Sequence, residues 1–274
     1  MVTPRPIGSP VLVADPPGGG GGGGGHGRNR VTAEAAIVAS VDGAGITRLP
    51  VLRSQVPLVL RRTPDAVYLV GGAAGPIGGD LLDLRIDVGA GAFLRVRTAA
   101  ASIALPGLDG HESVLTVTVV VGAGGCLEYL PEPVVVSSGA RHATIIRATL
   151  AEGASLLLRD ELLLGRHGEP GGTARSVLRV DYGEHPLLRQ SLEVSGTDST
   201  SLGPAVLAGH RAVGNLLRVG PEAGAGQPGD GAHETAANPL AVAVMPLAGP
   251  GILITAVAHD AVTLRRRLTT GATP

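Results

Sequence analysis

Apolar residues recur along most of the chain at a spacing of two, with glycine breaking the runs. Leu82, Leu84, Ile86 and Val88 alternate with Asp83, Arg85 and Asp87. Successive side chains of a strand leave on opposite faces, so this pattern predicts a half-buried strand over residues 81–88. Residues 114–121 are rich in β-branched side chains and predict a buried strand. Further strands are predicted at 35–41 and 46–52, on either side of the turn Asp42-Gly43-Ala44-Gly45. Others follow at 58–61, 66–70, 240–246 and 252–258. Only the end of the chain reads as helix. Asp260 is placed to cap residues 261–268, whose last turn holds Arg265, Arg266 and Arg267. Those cations suit the negative end of a helix dipole and are expected to face water. Residues 202–219 are ambiguous: Pro204, Gly209 and Gly214 weaken a helix, and 210–219 can be read as a strand.

A segment repeats. Ile86-Asp87-Val88-Gly89-Ala90-Gly91-Ala92-Phe93-Leu94 is echoed by Val119-Val120-Val121-Gly122-Ala123-Gly124-Gly125-Cys126-Leu127. Thr149-Leu150-Ala151-Glu152-Gly153-Ala154-Ser155-Leu156-Leu157 is a looser copy. Each is a strand, a short glycine turn and a strand. Repeats of this size predict stacked β layers of a solenoid kind; ordinary hairpins in a sandwich are the alternative. The fold class is therefore mainly β, with one or two short helices. The unbroken glycines 18–25, with prolines at 4, 6, 10, 16 and 17, predict a disordered tail over residues 1–30. A Gly-, Ala- and Pro-rich stretch at 220–239 predicts a mobile loop. Residues 31–270 remain as one β-rich domain.

Composition removes several function classes. The 274 residues include only four aromatic ones, Tyr68, Phe93, Tyr129 and Tyr182. Platforms for stacking single-stranded nucleic acid are missing. All 22 basic residues are arginine, so Schiff-base and P-loop lysine chemistry is excluded. A formal charge of −1 gives no electrostatic footprint for nucleic acid or an anionic membrane. The single cysteine, Cys126, rules out an internal disulfide and is expected to be a small buried residue. No basic-then-apolar leader and no apolar run of spanning length is visible, which predicts a cytoplasmic location. Mean hydropathy is +0.29 with 16% charged residues, apolar enough to predict a surface that meets a partner.

The chemical motifs are mostly negative. The eight histidines do not pair at i,i+2 or i,i+4, and there is no Cys-x-x-Cys, so no closed high-affinity metal site is expected. The glycine-rich run 71–79 lacks Lys-Ser/Thr and leads into a strand, which excludes a phosphate cradle at a helix start. Ser137, Ser138 and His142 make only a weak case for acyl transfer. Six acids flank apolar strands: Asp80, Glu128, Glu132, Asp160, Glu161 and Glu169. Stacked layers can align such groups at one edge, as general acids and bases or as oxygen ligands for a passing divalent ion.

Several segments, taken in order, resemble the UreD (UreH) urease accessory protein family. They are Gly75-Pro76-Ile77-Gly78-Gly79-Asp80, Val88-Gly89-Ala90-Gly91-Ala92 and Thr98-Ala99-Ala100-Ala101, then Leu127-Glu128-Tyr129-Leu130-Pro131-Glu132-Pro133 and Leu164-Gly165-Arg166-His167-Gly168-Glu169. The resemblance covers roughly residues 31–265. It implies a non-enzymatic, helically stacked β protein that acts as a chaperone. It also implies partners: apo-urease, a UreF-type protein and, through it, a UreG-type GTPase. Nickel would pass transiently through an internal, water-filled route, with no permanent cofactor. On this resemblance Asp80 is the first passage candidate and Glu169 the second, with Glu128 and Asp160 completing the set. Gly78, Gly79, Tyr129 and Pro131 carry motif or structural roles, and Arg166 is expected to order its loop by pairing with a carboxylate. The chain departs from the family where Thr98-Ala99-Ala100-Ala101-Ser102 lacks a glutamine, in its few C-terminal aromatics, and in its tail and 220–239 stretch. The residues alone leave two rivals open: a carboxylate-pair hydrolase or lyase, and a passive β-rich interaction module.

Overall fold

The computed structural model describes residues 30–221 and 241–270. The predicted tail, apart from Arg30, and nearly all of the predicted 220–239 loop lie outside them. The described residues are mainly strand.

The chain opens with β1 (Thr32–Val41), β2 (Thr47–Arg53), β3 (Leu58–Arg62), β4 (Val67–Gly71), β5 (Leu81–Val88) and β6 (Phe93–Thr98). Next come β7 (Ser102–Ala104), β8 (Ser113–Val121), β9 (Cys126–Leu130), β10 (Val134–Val136), β11 (Arg141–Leu150) and β12 (Ser155–Leu164). The last third holds β13 (Thr173–Tyr182), β14 (His185–Ser195), α1 (Ser199–Leu202), β15 (Ala212–Val219), β16 (Val242–Pro246), β17 (Gly251–Ala258) and α2 (Ala261–Thr270). The ambiguous 202–219 stretch thus resolves as a strand, β15, from residue 212. The short helix α1 was not foreseen; Asp198 caps it by accepting from the amides of Thr200 and Ser201.

Two sheets form. Sheet A has the order β14-β13-β11-β8-β5-β1-β2. Sheet B runs β16-β17-β15-β12-β9-β6-β4-β3, with β10 paired to β12 and β7 paired to β10. The repeat explains the architecture. Within sheet A, β5, β8, β11 and β13 pair in parallel, and within sheet B so do β6, β9 and β12. Each copy of the repeat is one corner of a coil, carrying the chain from a sheet A strand to a sheet B strand. Gly91, Gly124 and Gly153 have φ of 67°, 66° and 77°, the left-handed region that glycine enters without steric cost. The corners also stack. A Cβ on Gly153 would lie 3.8 Å from the Gly124 nitrogen, and one on Gly124 would lie 3.9 Å from the Gly91 nitrogen. Backbone bonds such as Gly91 N–H to Ala123 O, 3.0 Å, continue the ladder through the turns. Antiparallel strands close both ends of the stack: β2 and β3 at one, β14 and the β15–β17–β16 set at the other.

The core lies between the sheets, filled by Val, Leu, Ile and Ala. A third apolar group sits on the outer face of sheet B, where Leu264 and Leu268 of α2 cover Leu216, Ile254 and Ala256. Asp260 caps α2, accepting from the Thr263 amide at 2.8 Å. Cys126 differs from expectation: it starts β9 beside a corner and is half-buried. Asp160 and Glu161 also differ. They lie inside β12 rather than at its end, one on each face.

Candidate functional site: a polar seam between the sheets

The inward positions of neighbouring strands are apolar above and below one level, and polar at that level. On β12 the inward series is Leu156, Leu158, Asp160, Leu162, Leu164. The two leucines before Asp160 belong to one apolar cluster and the two after it to another. β13 repeats the break, with Ser176 between Ala174 and Leu178, and β11 places His142 and Thr144 between Ala140 and Ile146. On β15 it is Asn215 between Val213 and Leu217. A seam of polar groups therefore divides the core.

Register aligns the seam. Asp80 immediately precedes Leu81, which pairs with Val114, so Asp80 sits beside Ser113. Ser113 pairs with His142, and its hydroxyl lies 2.9 Å from the His142 Nδ1. The Thr144 hydroxyl lies 3.3 Å from Nε2 of the same ring. Thr144 pairs with Ser176, whose hydroxyl donates across the sheets to Asp160. Asp160 pairs with Asn215, and the Asn215 Oδ1 accepts from the Thr255 hydroxyl at 2.7 Å and from Gln190 Nε2 at 3.4 Å. The Gln190 Oε1 is buried and has no hydrogen-bond partner among the described residues. Buried polar atoms are costly unless paired, so a run of them through an otherwise aliphatic core is a feature to explain.

Burial sets the protonation states. Asp160 is 5% exposed. Loss of hydration pushes its pKa up to about 6, against the lowering effect of the Ser176 hydroxyl; the nearby Glu161 charge adds to the rise. Burial pulls His142 down to about 4, so its ring is neutral at pH 7. Tyr129, buried on β9, has its phenol pushed up by burial and by the Asp160 charge.

The other singled-out residues fall in different places. Asp80 accepts from the amides of Ile77, 2.9 Å, and Val31, 3.2 Å, and so ties its loop to the start of β1. Gly78 touches the Gly107 backbone so closely that a Cβ would come within 2.5 Å of its nitrogen, and Gly79 has φ of 93°. The Gly-Gly-Asp motif is thus a backbone device that delivers a carboxylate to the seam's edge. Glu128 forms two hydrogen bonds with Arg95 and a longer ion pair with Arg97, at 3.7 Å. Glu169 is gripped by Arg166 through side chain and amide, which brings its pKa down to about 2. Glu161 has a fully buried side chain facing α2, where Arg265 holds it at 2.6 Å and also bonds Glu132 at 3.0 Å. Arg159 joins this group and bonds the Pro131 carbonyl at 2.8 Å. So Arg265 is a clamp on sheet B and not a solvated helix end. The structure brings Glu132 and Glu161 together, and puts Asp80 and Asp160 on the seam. Glu128 and Glu169 stand apart from it. No cluster of three or more His, Cys, Asp or Glu side chains that could hold a metal occurs among the described residues.

A coiled stack of two parallel layers, closed at both ends and crossed by weak oxygen and imidazole groups, defines a β-solenoid-like protein. The comparisons agree with this class. The profile of the UreD urease accessory protein family matches residues 31–273. A urease accessory protein UreD of Parafrankia is 44% identical over 266 residues, covering 88% of each chain. That of Frankia alni is 44% identical, covering 90% of this chain and 94% of the relative. Urease accessory protein UreD 3 of Streptomyces griseus is 45% identical, covering 87% and 94%. The chain belongs to the UreD urease accessory protein family. No helix of the described residues is long and apolar enough to cross a membrane.

Proposed function

We propose that this chain is a non-catalytic urease maturation factor: a cytoplasmic scaffold that binds apo-urease and UreF- and UreG-type proteins, and along whose polar seam nickel passes to the urease site. The supporting observation is the seam itself. Its groups are hydroxyl, carboxylate, amide and imidazole, spaced one or two at a time. Such sites bind a divalent ion weakly and release it, as conduction requires; a tight cage would trap it. Asp160 is the central group. A carboxyl titrating near 6 is partly protonated at cellular pH, and a cation binds there by displacing the proton. Partner binding is supported by a groove of about 610 Å³ between α2 and the β10–β12 edge, lined by Ala101, Val135, Leu163 and Val262. The rival enzyme reading needs two free carboxylates across an open cleft. Glu128, Glu132, Glu161 and Glu169 are instead paired with arginines.

The test is co-expression with urease subunits and UreF- and UreG-type proteins. Asp160→Asn is expected to leave the complex intact and lower the nickel content of urease. An Asp160→Asn chain that delivers nickel as the unmodified chain does would remove Asp160 from the route.

A further inference from the structure

Two histidines far apart in sequence meet outside the seam. β15 and β17 pair with Ala212 opposite Ala258, and the Arg211 amide bonds the Ala258 carbonyl at 3.2 Å. This brings His210, just before β15, against His259, just after β17. Their ring centroids are 4.2 Å apart with the planes at 61°. His210 is 6% exposed, and its Nδ1 is buried with no hydrogen-bond partner among the described residues. Its backbone is fixed by a 2.8 Å bond from its amide to Leu207 O. His259 is exposed. The His210 ring thus meets a second, solvent-facing imidazole edge-on while one of its own nitrogens is buried and unpaired, an arrangement that hydrogen bonding does not explain.

The surrounding charges are committed elsewhere. Arg211 turns its guanidinium onto the carbonyls of Leu164, Gly165 and Arg166. Arg267 donates to the Val257 carbonyl. Asp260 accepts from the amide and hydroxyl of Thr263, and those bonds keep it ionised beside His259. Burial, with His259 and Arg267 adding, lowers the pKa of His210 and favours the neutral ring that ligates metals.

We propose that His210 and His259 together bind one borderline divalent cation of the Ni²⁺, Cu²⁺ and Zn²⁺ class, with water completing the coordination. Imidazole suits these ions and not the hard Mg²⁺ or Ca²⁺. The exposed His259 ring turns outward to admit the ion between the two rings, and the His210 nitrogen gains its missing partner. With only two protein ligands the site exchanges its ion readily, which suits a place where cargo is taken up. It lies outside the seam and stands whether or not the seam carries nickel.

The test titrates the full-length chain with Ni²⁺ and, separately, Mg²⁺ by calorimetry, and follows the melting temperature with each. His259→Gln changes an exposed side chain and leaves the fold intact; Asp160→Asn serves as the seam control. The Ni²⁺ event that depends on His259 should be present in the unmodified chain and persist in Asp160→Asn, whatever that variant removes at the seam, with Ni²⁺ preferred to Mg²⁺ and each protein melting higher with Ni²⁺ than without it. His259→Gln should lose this binding event or weaken it roughly tenfold or more. Histidines elsewhere contribute equally to all three proteins. Equal Ni²⁺ stoichiometry and affinity in His259→Gln would overturn the site, as would absence of binding or equal affinity for Mg²⁺.

Discussion

Replacing Asp160 by Asn should stabilise the protein at pH 8 and leave it unchanged at pH 3.5. In the fold the carboxyl titrates near 6, against 3.8 when exposed. Between those values the folded chain keeps a proton that the unfolded chain has released. Stability therefore falls as pH rises from about 4 to about 6, and the loss is complete above that. At about 1.4 kcal/mol per pKa unit, a rise of about two units amounts to roughly 3 kcal/mol. Asparagine has the same shape, accepts from the Ser176 hydroxyl and does not ionise, so it escapes this loss. For a chain of this size about 3 kcal/mol corresponds to roughly 6–12 °C in melting temperature. The assay is thermal unfolding of both proteins from pH 3.5 to 8, followed by circular dichroism. Other acids titrate in the same window, but they do so in both proteins, so the difference curve isolates Asp160. Parallel curves would refute the reasoning, because they would mean the carboxyl ionises as freely inside as outside. The same result has a functional use: a variant that is more stable yet delivers less nickel cannot owe its defect to unfolding.

Two further outcomes follow from the packing. Leu264→Ala, beneath α2, should cost about 2–5 kcal/mol in denaturant unfolding; a cost under about 1 kcal/mol would mean the helix does not cover sheet B. Gly153→Ala places a side chain at φ of 77° in a stacked corner and should cost about 1–2 kcal/mol, whereas an unchanged midpoint would contradict the corner geometry.

Much of the architecture was legible because the repeat is a local signal. Alternation marked the strands, and the glycines at 91, 124 and 153 marked the corners. The seam was only half legible. Asp160 falls in phase with Leu156, Leu158, Leu162 and Leu164, so an acid facing the core was readable from β12 alone. That it meets Ser176, and that His142 lies one pair further along, depends on the register between strands, which no single segment encodes. The same limit hid the His210–His259 contact and the Arg265–Glu161 clamp. Arg265 read as solvated because a helix end with three arginines normally is. A fully buried Glu161 on the outer face of β12 draws it inward instead. Asp80 illustrates the converse: its motif was visible, but its first duty is to hold two backbone amides.

The central claim is most directly tested by the nickel content and activity of urease co-expressed with its accessory proteins and this chain, unmodified, absent, or carrying Asp160→Asn. Active, nickel-loaded urease with the unmodified chain, none without it, and an intact but nickel-poor complex with Asp160→Asn is the predicted result. Equal nickel and activity in all three would contradict the account.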